Sequence, residues 1–559
     1  MWADTSQHTY RQGDLFIGQD QGREIGITTE RHAITIAGAG SGKGVSVIMP
    51  NLFKWQHNAL VIDPKGEAAE NTAQARADMG QNVHVVDPFN SSRVDDRLKG
   101  SYNPLNDLDP NSLTIKEDIE VISDGIVMRG DASASHWDDG ALNLISGLIA
   151  FVLQGAPEGQ KTLLEVREIL RGDDSLANAI EQMKGISGCA GLCQSAAATV
   201  NAKEGAYFVS NARKNTDWLD SAGMQNVLGK STFSLSELKR GKASVFLVLP
   251  ANYLGQHGRF LRLFVRCAID EMARKLPSGE LRGSQCLFIL DEFFSLGYID
   301  EIAKAAGLMR GYGLQLWPIL QDIGQLITLY GREGAETFFG NADLHQYFGN
   351  TDMLTLEFVS NRIGTKSIDE IPLPPAAPAN VQSSFGQTLG HMSGGSKLGA
   401  ARAVGALAGG IISNASNEAH AAEQARYQDD MNLYQRKMAE FSKPRYSPTD
   451  IARLVQRQND VVADNMINFV FGSDALLVKP APFFRELESV EVPEIFEIEQ
   501  DNEINHEEAT IGLMLIVCPI ISGLLMMFFA EGYSNTTKFV AGAILGFIGP
   551  FIIARYKRR

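Results

Sequence analysis

Short runs of β-branched and apolar residues recur along the chain, and each stops at a turn or an acid. They are Ala33–Ala37 (AITIA), Asn58–Asp63 (NALVID), Asn82–Asp87 (NVHVVD), Ala243–Pro250 (ASVFLVLP), Cys286–Glu292 (CLFILDE), Leu314–Leu320 (LQLWPIL) and Leu344–Gly349 (LHQYFG). Runs of this length, apolar on both faces and separated by helical patterns, predict buried strands of a parallel α/β sheet. Such sheets bind ligands outside the carboxyl ends of their strands, where Asp63 and Asp87 fall. The pattern is interrupted between about residues 112 and 222. There Asp138–Ile149 and Thr162–Leu170 carry helical spacing and no strand-like run intervenes, which predicts an all-α insertion.

The first of these runs leads directly into AGAGSGKG, Ala37–Gly44, and then into the helix-like VSVIM. Strand, glycine loop and helix are the setting of a phosphate cradle, G-x-x-x-x-G-K-[ST]. The backbone of Gly38, Ala39, Gly40, Ser41, Gly42, Lys43, Gly44 and Val45 would bind phosphate, with Lys43 reaching the β- and γ-phosphates. Pro50 is expected to end or kink the helix early. Two positions depart from the pattern: Ala37 replaces the first glycine, and Gly44 replaces the hydroxyl residue that holds Mg²⁺. A simple glycine-rich turn is the competing reading.

A second element, CLFILDEFFSLG, delivers Asp291 and Glu292 to a strand end 248 positions after Lys43. Asp291 is suited to holding Mg²⁺ through water, and Glu292 to orienting and deprotonating an attacking water. An Asp-Glu pair that only caps a following helix is the plainer alternative. The long interval agrees with a helical insertion inside one nucleotide-binding core.

The ends and linkers have their own texture. The N-terminal residues contain no apolar run of the secretory kind. Thr510–Ala530 is 21 residues without a charge, Phe539–Ala554 a further 16, and the chain closes on RYKRR. Two apolar runs joined by a short polar turn predict a transmembrane hairpin, since the first alone can cross about 30 Å of hydrocarbon. The basic end puts both termini and the bulk of the protein in the cytoplasm; buried tail helices are the alternative. Gly542 and Gly546 in the second run suit helix packing. The formal charge is −16, and Glu486–Glu508 contributes ten acids with no Lys or Arg, a solvated linker or a dock for a basic partner. From Ile371 to about Ser416 the composition is that of a Pro/Gly/Ala linker, followed by a polar helix over Asn417–Phe441. Cys189, Cys193, Cys267, Cys286 and Cys518 form no CxxC pair and read as plain thiols in a reducing compartment.

GSGKGVSVIMPNL, LVIDPKGE, VVDPF, YNPL, HWDDGALNLI, FLVLPANYL, FILDEFFSLG and GYGLQLWPILQDIGQL occur in one order over roughly residues 14–372, and the match resumes from Pro444 to about Phe484. In this the chain resembles the type IV secretion coupling proteins of the TraG/TraD family. The resemblance implies a RecA/FtsK-like P-loop NTPase with an inserted all-α domain, working with ATP and Mg²⁺ as a ring, expected to be a hexamer. It implies an inner-membrane ATPase that delivers DNA with its relaxase, or protein substrates, to the channel subunits of a secretion or conjugation system. The DNA is expected to be single-stranded. By position it implies that Gln321 senses the γ-phosphate or attacking water. Arg310 would reach a neighbour's nucleotide, against a plain solvated arginine. Lys65 and Glu67 match without an assigned role, whereas Trp137, Asp138 and Asp139 read more readily as packing and capping than as substrate contacts. Many relatives read GKG, so Gly44 is a family variant and water would complete the Mg²⁺ shell.

The expected organisation is a nucleotide-binding domain in pieces (1–111, 223–372 and 446–485), interrupted by an all-α domain (112–222) and a linker with a polar helix (373–445). An acidic linker (486–508) and the transmembrane hairpin (509–559) follow. The family's anchor ordinarily precedes the motor, and here the hairpin lies at the other end. Two other functions compete: a nucleotide-binding docking platform with little hydrolysis, and an FtsK-like DNA translocase outside secretion.

Overall fold

A computed structural model describes residues 2–128, 135–186, 188–365, 375, 421–439, 443–458 and 462–483. The expected transmembrane hairpin, the acidic linker and most of the Gly/Ala-rich linker lie outside the described residues. Among the described residues no helix is long and apolar enough to cross a membrane.

The chain begins with a hairpin, β1 (Leu15–Asp20) and β2 (Arg23–Ile27). It then enters the central sheet through β3 (His32–Ala37), β4 (Asn58–Asp63) and β5 (Asn82–Val86). The remaining sheet strands are β6 (Ala243–Val248), β7 (Cys286–Leu290), β8 (Leu314–Leu320), β9 (Ala342–Phe348), β12 (Met466–Val470) and β13 (Leu476–Val478), while β10 (Arg457–Gln458) and β11 (Val462–Ala463) form a small ribbon. The order across the sheet is β13-β12-β9-β3-β8-β7-β4-β6-β5. From β9 to β5 every pairing is parallel, and β12 and β13 close the other edge antiparallel. β3, β4, β6, β7 and β8 are buried along their whole length, which is why their sequences are apolar on both faces.

The crossover from β3 to β4 opens with a π-type turn, Gly44–Ile48, and continues as α1 (Met49–Lys54). Of the two expectations for Pro50, an end or a kink, the end is corrected: the helix runs on past it to Lys54. The Met49 N–H donates to the Gly44 carbonyl, so the wide turn hands over to α1 at Pro50, where proline's missing N–H and its ring are tolerated. α2 (Glu67–Asp78) follows β4, and its fully buried Arg76 ties it to the sheet. That guanidinium donates to the Ser244 hydroxyl (2.7 Å), the Gln81 side chain (2.7 Å) and the carbonyls of Leu52, Trp55 and His57.

Between β5 and β6 the described elements are helical: α3 (Ile115–Ile126), α4 (Ser135–Gly155), α5 (Leu163–Arg171), α6 (Asp173–Met183), α7 (Ala190–Asn201), α8 (Gly205–Thr216), α9 (Ala222–Leu228) and α10 (Glu237–Arg240), with short 3-10 turns. α4 packs on α7 and α8, and its small residues permit the approach: Gly147 faces Ala196 and Gly140 faces Phe208. After β6 comes α11 (Leu254–Ala273), then α12 (Asp300–Leu308) following β7, α13 (Ile323–Asn341) and α14 (Met353–Ile363). Buried Arg266 of α11 pairs with Asp124 of α3 and, at 2.8 Å, with Glu301 of α12. Residues 421–439, inside the expected polar helix, are helical and mostly exposed.

Candidate nucleotide site

β3 ends at Ala37, and the chain turns at once through the glycine loop. The Gly38 N–H donates to the Phe348 carbonyl at 3.2 Å, and a Cβ at Gly38 would run into the carbonyl oxygen of Gly349. Only glycine fits that approach. Gly40 and Gly42 have φ of +66° and +88°, a region open to glycine at little cost. Buried Ser41 donates its hydroxyl to the Gly38 carbonyl at 2.6 Å and pins the loop from behind. Lys43 then stands at the entrance to the π turn.

Strand order brings the remaining parts together. β8 lies between β3 and β7, so Gln321 at its end stands between the loop and the acids that follow β7. β4 lies on the other side of β7, and Ile62 pairs with Leu290. The next residues of the two strands, Asp63 and Asp291, therefore emerge side by side. These elements enclose a cavity of about 440 Å³ whose wall includes Ala39, Gly40, Gly42, Lys43, Gly44 and Val45 of the loop and Asp291, Glu292 and Gln321 opposite. Asp63, Lys65 and Glu67 line the same space. Size does not single it out, since cavities of about 700 and 520 Å³ lie elsewhere, but neither of those holds the glycine loop. Gly38 and Ser41 sit behind the wall and shape the loop. Arg310 falls in the turn Met309–Tyr312, and its side chain lies outside the described residues.

Burial pushes the Asp291 carboxyl up to about 6, with Lys43 pulling it back and Glu292 adding to the rise. Burial likewise pushes Asp63 up to about 7, opposed by the Ala69 N–H and reinforced by the charge of Asp291. Glu292 occupies the left-handed region at φ 50° and ψ 42°, an uncommon conformation for a glutamate and one that gathers at functional sites. Its side chain accepts from the Gln321 amide at 3.4 Å, and its own N–H donates to Asp291 Oδ1 at 3.0 Å. Asn350 in turn donates to the Gln321 carbonyl at 3.3 Å.

Several other residues noted in the sequence have plain structural partners. Asp87 accepts from the N–H and hydroxyl groups of Ser91 and Ser92 and closes a turn away from the cavity. Asp138 accepts from Asn211 at 3.0 Å, and the Trp137 ring packs on Tyr207 and Phe208. Ser46 is buried and off the cavity wall; its N–H donates to the Gly42 carbonyl at 2.9 Å, and its hydroxyl has no hydrogen-bond partner among the described residues. The reading of the residues passed over Asp63 as a site residue. Its signal was its place at a strand end, but only the register of β4 against β7 puts it beside Asp291.

The donor set fits a triphosphate with a divalent cation. The loop supplies a lysine and a helix start, and the opposite wall supplies oxygens. No group of three or more His, Cys, Asp or Glu forms a metal cage among the described residues. Mg²⁺ needs none, because it keeps waters and phosphate oxygens beside one or two carboxylates. Lys43 and Asp291 would hold the pair, which supplies a neutralised, polarised phosphoryl group.

A lysine-bearing glycine loop facing an acidic strand end on a parallel sheet defines the class of P-loop NTPases. The chain belongs to the family described as type IV secretory system conjugative DNA transfer, whose sequence model matches residues 3–370. It is 29% identical over 348 residues to the conjugal transfer protein TraG of Rhizobium radiobacter, covering 60% of this chain and 53% of that one. It is 25% identical over 350 residues to the type IV secretion system-coupling protein VirD4 of Bartonella henselae, again covering 60% and 53%. The chain thus spans about half the length of the curated relatives it matches. Its fold is similar to that of the plasmid coupling protein TrwB solved with ADP and Mg²⁺, with a TM-score of 0.55 over 86% of this chain and 91% of TrwB at 14% identity.

Proposed function

We propose that this protein is a coupling ATPase of a type IV secretion or conjugation system, which uses ATP hydrolysis to deliver DNA with its relaxase, or protein substrates, to the channel. The observation that carries it is the convergence of Lys43, Asp291, Glu292 and Gln321 on one cavity, in a chain of the conjugative transfer family. In this reading the loop N–H groups and Lys43 would bind the β- and γ-phosphates, and Asp291 would hold Mg²⁺. Bound Mg²⁺ neutralises charge on the phosphate oxygens. Glu292 orients the attacking water and takes its proton, and Gln321 sets the direction of the Glu292 carboxylate. Arg310 acts on a neighbouring copy's nucleotide, which calls for a ring, and the helices between β5 and β6 form the domain that meets the substrate. The C-terminal apolar runs anchor the motor on the cytoplasmic side of the inner membrane.

The test is steady-state ATPase activity and substrate transfer of Lys43→Ala and Glu292→Gln in folded protein. Both activities are expected to vanish. Wild-type hydrolysis by both variants would overturn the assignment. The missing hydroxyl at Gly44 favours a second reading, a docking platform that binds ATP and scarcely turns it over. Tight binding without turnover, in lipid and with DNA present, would select it.

A further inference from the structure

We propose that Asp63 supplies a second carboxylate to the cation at this site, taking over the place of the hydroxyl that Gly44 lacks. The inference rests on the nucleotide reading above and extends it to a residue to which the family pattern gives no task. Three observations carry it. Asp63 is only 5% exposed, yet it lies on the cavity wall with Asp291 and Gly44. Register fixes it beside Asp291, since the preceding residues, Ile62 and Leu290, are paired partners on adjacent parallel strands. Neither carboxylate has an ion-pair partner within 4.0 Å among the described residues, although Lys43 and Lys65 share the cavity.

A buried acid beside a half-buried one is repelled by it, and a divalent cation between protein and phosphate is the economical remedy. Mg²⁺ is commonly held by one or two carboxylates together with phosphate oxygens and water. The space in front of Gly44 is open, because a Cβ built there meets nothing within 4 Å. The loop therefore tolerates a hydroxyl residue sterically and does without one, and the acid that the standard pattern does not call for stands across the same cavity. The ordinary role of Asp63 is local: its Oδ2 accepts from the Ala69 N–H at 2.8 Å and orders the start of α2. Asparagine keeps an oxygen for that bond and removes the charge, so Asp63→Asn separates the two roles.

The experiment titrates the full chain with Mn²⁺ in the presence of a non-hydrolysable ATP analogue, following free Mn²⁺ by electron paramagnetic resonance. Nucleotide affinity is measured alongside in EDTA. Asp63→Asn is expected to raise the Mn²⁺ midpoint by about tenfold or more while the affinity in EDTA stays at the wild-type value. Gly44→Thr placed on Asp63→Asn is expected to restore most of the loss. An unchanged midpoint in folded Asp63→Asn overturns the proposal and leaves the nucleotide site standing. Wild-type protein that binds no nucleotide with or without Mn²⁺ brings down the site and this inference together. Should Asp63→Asn not fold, Gly44→Thr alone decides: an unchanged Mn²⁺ midpoint supports a shell that Asp63 already completes, and a several-fold lower one, which shows the hydroxyl's place still open, overturns the proposal.

Discussion

The side-chain amide of Gln321 donates to a carboxylate oxygen of Glu292 across 3.4 Å, joining the end of β8 to the end of β7. The bond aims a carboxylate whose backbone is already held in the left-handed region. A general base acts only when its lone pair faces the water it deprotonates. Glu292→Gln is therefore expected to lower ATP turnover by about 10²–10⁴-fold with nucleotide affinity retained. Gln321→Ala should lower turnover less, by about tenfold, because the base survives and only its aim is lost. Single-turnover rates measured beside equilibrium nucleotide binding check both. Equal losses in the two variants would show that Gln321 does more than orient Glu292.

Gly38 and Gly44 belong to one loop and make opposite predictions. A Cβ at Gly38 would collide with the backbone carbonyl of Gly349, which cannot rotate away, whereas a Cβ at Gly44 meets nothing within 4 Å. Gly38→Ala should destabilise the protein by about 1–3 kcal/mol and abolish nucleotide binding. Gly44→Ala, at a helical position, should be neutral or stabilising by up to about 1 kcal/mol. Thermal unfolding with and without nucleotide separates the two.

The parallel sheet was legible because full burial leaves a plain trace. NALVID and LQLWPIL coincide with β4 and β8, and AITIA falls one residue short of β3. Asp291, Glu292 and Gln321 could be named for the same reason, since they follow directly on readable strands, and Lys43 because only a short glycine loop separates it from β3. The hairpin of β1 and β2 was not read, because Gln21-Gly22 is a weaker turn signal than Asn-Gly and its strands mix polar with apolar residues. The short strands β12 and β13 were missed because β12 joins the sheet through β9, more than a hundred residues earlier in the sequence, and β13 joins only through β12. Sheet order is likewise non-local, and this is why Asp63 and Asp87 looked alike in sequence and part company in the fold.

His345 makes the stability of the sheet depend on pH. Its Nε2 donates to the carbonyls of Phe339 and Ala342 at 3.0 and 3.1 Å, while Nδ1 is buried without a partner. Burial, reinforced by the charge of Arg362, holds its pKa down at about 4, against an ordinary value of 6.5. Between those limits the unfolded chain binds the proton and the folded chain does not, so stability falls as pH drops through that window. His345→Gln keeps a donor for the carbonyls and removes the titration. Any stability advantage of wild type over His345→Gln should shrink by about 3 kcal/mol between about pH 7 and pH 4. Urea unfolding of both proteins across that range measures it. A constant difference would mean that the folded protein accepts the proton after all.

Arg266 joins three helices, reaching Asp124 on α3 and Glu301 on α12 from its position on α11, and its side chain is 5% exposed. α12 follows β7 and the acids at its end, so this cluster is one polar link between the helix after that strand and the helices inserted after β5. Burial lowers the pKa of the guanidinium, and the nearby charge of Glu301, with smaller help from Asp300, opposes it only in part. Removing the cation takes the ion-pair partner from partly buried Glu301 and one partner from Asp124, which is the costly way to break such a cluster. Arg266→Met should lower stability by about 3–5 kcal/mol. Replacing Asp124 and Glu301 with leucine as well should recover most of that loss, because an apolar cluster of similar volume has no charge to desolvate. Chemical denaturation of the single and triple variants gives the comparison. If the triple variant is no more stable than Arg266→Met, the three side chains contribute shape rather than charge, and the link between the two parts of the fold is one of packing.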